Sequence, residues 1–316
     1  MPTPREFFFF IFQILFVSII VTYAFSYEVD SQIEKPYQIF MLFFMIGTYA
    51  MILQYLVLIP EYMAERQFLN KERSARVVSF GPYIASAMLT EVPRAAVQCC
   101  VLIGIVYSIH PLNPIPINKT FCVVCLMVGV CAWQSLICIC AVVTDEIGVA
   151  YTLSFLVLGS GTLFGGLLIR LSKIPTMFTF LYYISVTAVT QRALVVNDMQ
   201  CCYLTATCNS IAQDLRGGPG AELQQHPLNL FKLDNKTIAI SSFCPPGLQV
   251  TGDGSDNGNL GRMYLKVLGL EQDNPFEALF VLFWANIIYR ALAVSIMYFR
   301  EYIKYQLKEE EDEVVK

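Results

Sequence analysis

The chain has 316 residues, of which 56% are apolar and 15% charged, with a formal net charge of -4. Soluble domains carry about 25% charged and about 45–50% apolar residues, so this composition excludes an ordinary soluble globule. The acidic excess, gathered in Glu309-Glu310-Glu311-Asp312-Glu313 as a solvated end, excludes a basic nucleic-acid-binding face and with it a nucleic acid partner.

A helix needs about 20 apolar residues to cross a hydrocarbon core of about 30 Å. Six stretches reach that length, at 7–26, 37–60, 83–109, 121–144, 147–170 and 276–299. The first, second and fourth carry no charge, and the fifth carries none before Arg170. The first run is longer than the apolar segment of a signal peptide, and no clear small-x-small cleavage site follows it, so it reads as a span. The chain, 1–316, reads as a single transmembrane domain. The expected fold class is an all-α membrane protein with six transmembrane helices, re-entrant helices and a disulfide-bearing extracellular loop.

The segment between the second and third spans, 61–82, reads as a helical cytoplasmic loop. It combines Glu61, Glu65, Arg66, Glu72 and Arg76 with the apolar points Met63, Phe68 and Leu69. Such a segment is either a solvated connector or a surface for a cytoplasmic partner. The third span carries Glu91 and Arg94 on one helical face, with Pro93 between them. Ionised side chains in a bilayer cost roughly 2.5–3.5 kcal/mol, so these two either pair with each other or snorkel to the inner interface. Arg290, nearer the middle of the sixth span, needs a partner or water for the same reason.

Two acceptor sequons, Asn118-Lys119-Thr120 and Asn235-Lys236-Thr237, follow the third and fifth spans. Glycosylation at Asn118 and Asn235 requires the luminal side, which puts both termini in the cytoplasm. Positive charge agrees. Arg66, Lys71, Arg73 and Arg76 lie in the first inner loop, and Arg300, Lys304 and Lys308 follow the last span. Among the 11 cysteines, Cys99, Cys100, Cys122, Cys125, Cys131, Cys138 and Cys140 lie in or at the spans and read as small hydrophobes. Cys201, Cys202, Cys208 and Cys244 lie in the outer loop 171–275, where disulfides are expected; the sequence chooses no pairing. Within that loop, 174–196 is uncharged apart from Arg192. It reads either as a re-entrant or interfacial helix pair, opened by Pro175 and carrying the interface-type Tyr182 and Tyr183, or as a seventh span. In the fifth span Gly161 and Gly165 form a G-x-x-x-G suited to close helix packing.

The sequence holds no G-x-x-x-x-G-K-[ST] phosphate loop and no G-x-S-x-G elbow. Neither His110 nor His226 has Cys or acidic neighbours at metal spacing. This chain is therefore expected to be no enzyme by itself and to hold no cofactor of its own.

Four stretches follow one another along the chain. They are Glu65-Arg66-Gln67-Phe68 with Lys71-Glu72, and Tyr83 running to Glu91-Val92-Pro93. Then come Phe164-Gly165-Gly166-Leu167-Leu168 with Ile174-Pro175 and Leu181-Tyr182-Tyr183-Ile184-Ser185, and last Ala193-Leu194 with Asn197-Asp198. In that order they resemble the E-R-x-F-x-R-E inner loop, the Y…E-x-P, the F-S-G-F…I-P…L-x-Y-I-S run and the E-A-L…N-E-F of the G-subfamily, White-type, ABC transporter membrane domain. Val186 stands where that family has proline, Arg192 where it has glutamate and Met199 where it has phenylalanine.

The resemblance implies the membrane-spanning half of a dimeric, ATP-driven exporter for lipids, sterols or hydrophobic compounds. Its partners would be a second membrane half and an ATP-binding domain carrying ATP and Mg. In the family that domain precedes the first span, whereas here Met1-Pro2-Thr3-Pro4-Arg5 leads into the membrane, so a fused segment or a separate partner is expected to supply it. By position, Thr48, Ala50 and Met51 on the second span and Leu158, Gly159 and Thr162 on the fifth would line the substrate cavity. Leu167 and Leu168 would plug its outer exit, and Glu65, Arg66, Phe68, Glu72, Glu91 and Arg94 would couple cytoplasmic movement to the spans. The expected location is the plasma membrane or another secretory-pathway membrane. Two other readings stay open: a non-transporting scaffold or regulatory subunit, and a receptor or channel. Substrate-stimulated ATPase activity would exclude the first, while an odd span count or nucleotide-independent ion current would favour the second.

Overall fold

A computed structural model describes residues 4–24, 35–74, 80–110, 112, 115–164, 175–178, 185–199, 265 and 274–314. All regular structure among the described residues is helical. In chain order it comprises α1 (Pro4–Ala24), α2 (Lys35–Ser74), α3 (Phe80–Ile109), α4 (Pro116–Val143), α5 (Ile147–Leu163), a 3-10 turn (Thr176–Phe178), α6 (Val186–Met199) and α7 (Pro275–Val314). Among the described residues, four segments are long and apolar enough to cross a membrane: Tyr37–Arg66, Leu89–Ile109, Pro116–Val143 and Pro275–Arg300. The apolar stretches Ile11–Ala24 of α1 and Ile147–Leu163 of α5 are shorter. Large apolar side chains face outward on α1 (Phe12, Phe16, Ile19) and α7 (Phe280, Phe283, Ile288). A water-soluble bundle would not expose such continuous apolar faces.

α2 does not stop where the second span was expected to end. It continues through Pro60 to Ser74, so the first part of the expected 61–82 loop is helix. Proline lacks the N–H that would bond the carbonyl four residues back. That carbonyl, on Leu56, accepts instead from the Tyr151 hydroxyl of α5 at 3.1 Å. Tyr55 returns the contact by donating to the Tyr151 carbonyl at 3.1 Å, and the two rings meet edge to face at 5.3 Å.

α4 lies at the centre, packed against α2, α3, α5, α6 and α7. Its buried side chains include Leu126, Trp133 and Ile137. Cys99, Cys122, Cys125, Cys131 and Cys140 are buried free thiols, in keeping with a space-filling role. Cys138 is partly buried and Cys100 exposed.

α6, at 14 residues, is about 21 Å long and too short to cross a bilayer core. Every residue of it except Arg192 is buried. It seats against α2, α4, α5 and α7. Close approach is possible because three of those helices present glycine. A Cβ on Gly129 would lie 2.4 Å from Thr190 Oγ1, one on Gly161 2.3 Å from Thr187 Oγ1, and one on Gly47 3.3 Å from Gln191 Cγ. The expected Gly161–Gly165 motif thus contributes through Gly161 to a contact with α6; Gly165 lies outside the described residues.

Candidate functional site

The interior of the bundle holds several layers of polar side chains. The most strongly charged layer joins α2, α3 and α7. Glu91 is 6% exposed and Arg290 7%. The Tyr62 hydroxyl donates to Glu91 Oε1 at 2.6 Å, and Arg290 forms an ion pair with Glu91 Oε2. Pairing of Glu91 with Arg94, one of the two arrangements expected for them, is therefore corrected. Arg94 turns to Glu61 of α2, with Nη1 to Oε2 at 2.8 Å. The reason is burial. Arg290 sits deep in the bundle and requires a buried anion, whereas Arg94 and Glu61 are partly exposed and meet near the surface.

A second charged joint closes the end of α4. Arg66 Nη1 donates to the carbonyls of Ala141 at 2.9 Å, Val142 at 3.3 Å and Thr144 at 2.6 Å, while Nη2 pairs with Asp145 at 3.0 Å. Arg300 of α7 donates to the Val142 carbonyl at 2.5 Å and also pairs with Asp145. The last carbonyls of a helix have no partner within it and carry partial negative charge, so two guanidinium groups suit that end. Arg66 thus ties α2 to the α4 terminus; Glu65 beside it is exposed.

Between these layers and the opposite end lies a glutamine network. Gln54 of α2, Gln98 of α3 and Gln134 of α4 are all essentially fully buried. Gln54 Nε2 donates to Gln98 Oε1, and Gln134 Nε2 donates to Gln54 Oε1 at 3.0 Å. Gln98 Nε2 donates to the Ala50 carbonyl at 3.0 Å, and Trp133 Nε1 to the Met51 carbonyl at 3.0 Å. Further along α2, Gln191 of α6 donates from Nε2 to Thr48 Oγ1 at 3.2 Å. At the far end the Tyr107 hydroxyl donates to Asp198 at 3.3 Å, and Asn197 Nδ2 donates to the Asn118 carbonyl at 3.1 Å. His110, just past α3, donates from Nε2 to the Thr22 carbonyl of α1 at 3.2 Å. Burial holds its imidazole below the ordinary histidine value, only partly offset by that hydrogen bond.

The expected cavity residues fall into two groups. The side chains of Ala50, Met51 and Leu158 are buried within the bundle, whereas Thr48, Gly159 and Thr162 are partly exposed. A Cβ added at Gly159 meets open space. Glu91 pairs with Arg290, Arg94 with Glu61 and Arg66 with Asp145, three separate joints that tie α3 to α7, α3 to α2, and α2 to the end of α4. Asn118 lies in the first turn of α4 and is half-buried. Leu167, Leu168, Cys201, Cys202, Cys208, Cys244 and Asn235 lie outside the described residues, as do the side chains of Phe68 and Glu72. Sequence reasoning missed Gln54, Gln98, Gln134 and Gln191. The available signal was a glutamine deep inside an apolar run, Gln54 in 37–60, Gln98 in 83–109 and Gln134 in 121–144. Among the described residues no three His, Cys, Asp or Glu side chains converge to hold a metal ion.

Apolar spans whose charges pair inside the bundle define an integral membrane domain. Residues 3–199 match the model for ABC-2 type transporters, well over half of the chain. The chain belongs to the ABC-2 type transporter family. It is also similar to ABC transporter G family member 23 of Arabidopsis thaliana, with 30% identity over 140 residues, 44% of this chain and 22% of that protein. The matched region thus spans less than a quarter of that relative's length.

Proposed function

We propose that this chain forms the membrane-spanning half of a dimeric, ATP-driven exporter that moves lipids, sterols or hydrophobic compounds out of the cytoplasmic leaflet. The family match over residues 3–199 carries the reading. The open faces of α2 and α5 support it. Tyr49 and Leu56 are exposed on α2, and Phe155 and Leu156 on α5, so each helix offers apolar side chains to a hydrophobic molecule. A second membrane half would complete the path, and an ATP-binding domain, fused or separate, would hold ATP and Mg. In this reading α1–α5 and α7 are the six spans, α6 is a re-entrant helix, and both termini are cytoplasmic. The cysteine-bearing loop and the sequons then face outward, from the plasma membrane or another secretory-pathway membrane. Export follows from two bundle states with different affinity for the substrate. Cytoplasmic movement enters through the helical extension of α2 and reaches α3 and α7 through Glu61–Arg94 and Tyr62–Glu91–Arg290.

The test is reconstitution with an ATP-hydrolysing partner in proteoliposomes. Export of a fluorescent lipid should require ATP and should stimulate its hydrolysis. Reversing charge at Glu65 and Glu72 should leave hydrolysis and abolish export. Hydrolysis without export in the unaltered complex sinks the proposal.

A further inference from the structure

Thr48 departs from the way many helical hydroxyls in this bundle are used. Ser18, Thr22, Ser135, Thr144 and Thr190 each donate to the carbonyl four residues back. This back-bond is the ordinary way to satisfy a helical hydroxyl in an apolar setting. At Thr48 the corresponding carbonyl, on Phe44, is approached at 3.5 Å by the Gln191 amide instead. Thr48 Oγ1 accepts from the same amide at 3.2 Å. Its own O–H has no acceptor among the described residues. On the other side of the pair, Gln191 is 3% exposed and its Oε1 has no hydrogen-bond partner. Two side chains already bonded to each other thus leave one donor unspent at the partly exposed Thr48 and one acceptor unspent at the buried Gln191, where an unmet polar group is costly.

We infer that Thr48 and Gln191 form a subsite for a single hydroxyl group on an otherwise apolar molecule. A hydroxyl both donates and accepts, so it closes a three-membered ring. Thr48 O–H donates to the ligand oxygen, the ligand O–H donates to Gln191 Oε1, and Gln191 N–H donates to Thr48 Oγ1. A carbonyl or carboxylate only accepts and an ammonium only donates, so each leaves one member unmet. Access is from the open side of α2. Thr48 is partly exposed there, next to the exposed Tyr49. This assignment rests on the exporter reading for its substrate path and narrows the cargo to apolar alcohols.

The experiment uses the full chain in phosphatidylcholine nanodiscs, titrated with 1-pyrenebutanol and with 1-butylpyrene, and reads tryptophan-to-pyrene energy transfer. The unaltered protein should hold the alcohol about tenfold more tightly than the hydrocarbon, the effect of roughly one to two net hydrogen bonds. Thr48→Val and Gln191→Met should each remove that preference by weakening the alcohol alone, and Thr48→Ser should keep it. Equal binding of the two probes, or no binding of the alcohol, overturns the subsite. So does a joint loss of both probes in the variants, which marks a packing role. ATP-driven export is measured in parallel on the reconstituted complex. Preference without export defeats the exporter and spares the subsite, whereas export without preference defeats the subsite alone.

Discussion

Arg290 of α7 closes on Glu91 of α3 across 199 positions of sequence, and Tyr62 of α2 donates to the same carboxylate. Three helices therefore share one buried anion. Removing a single partner of a buried pair leaves an uncompensated charge and costs about 3–5 kcal/mol. Glu91→Gln and Arg290→Met should each lower the unfolding midpoint of the detergent-solubilised protein substantially. The double substitution should cost less than the sum of the two. Additive losses would show that the two groups do not act as a pair.

The seat of α6 predicts a sharp contrast between glycines. Gly129→Ala would set a methyl 2.4 Å from Thr190 Oγ1 and 2.8 Å from its Cγ2. Threonine is branched at Cβ and cannot swing aside freely, so a loss of about 1–3 kcal/mol is expected. Thr190→Ala in the same chain should recover much of it. Gly159→Ala meets open space and should be neutral or stabilising by up to about 1 kcal/mol through helix propensity. Equal effects at the two positions in a thermal-shift series would contradict the packing of α6.

Tyr151 and Pro60 should be coupled. Tyr151→Phe leaves the Leu56 carbonyl without its donor, at about 0.5–1.5 kcal/mol. Pro60→Ala restores a backbone N–H that can take the same carbonyl. The hydroxyl should therefore matter less in the Pro60→Ala background. A double-mutant cycle with no interaction term would remove this explanation for the unbroken α2.

Acidification should loosen the α1–α3 contact through His110. Its pKa is lowered in the folded state by burial. The folded protein therefore binds fewer protons than the unfolded chain, and stability rises with pH across the gap between the two values. The contribution is complete above the ordinary histidine value near 6.5 and declines as pH falls from there through the depressed folded value. His110→Gln should flatten this part of the stability–pH curve. An unchanged curve would assign the acid sensitivity elsewhere.

The helices were legible from sequence because uncharged runs of about 20 residues have few alternatives to crossing lipid. The need of Glu91, Arg94 and Arg290 for partners was legible for the same reason. Who pairs with whom was not. Spacing along one helix favours neighbours such as Glu91 and Arg94, but the deepest cation, Arg290, claims the buried carboxylate. The helical stretch after Pro60 was expected, but not its continuity with α2. A proline weakens a helix only if its orphaned carbonyl stays unmet, and the donor lies on α5, some 90 positions away. The glutamines escaped notice because an uncharged amide does not interrupt a run defined by its lack of charge, while its hydrogen bonds depend on what other helices bring alongside.

Unbroken from Lys35 to Ser74, the second helix has 40 residues and measures about 60 Å, twice the thickness of the oily layer it crosses. A rod of that length is a lever. Pivoted at its middle, a tilt of about 5° moves the two ends by about 2.6 Å in opposite directions. A modest push on its protruding arm can thus shift side chains at the opposite face of the bilayer without melting a single turn of backbone.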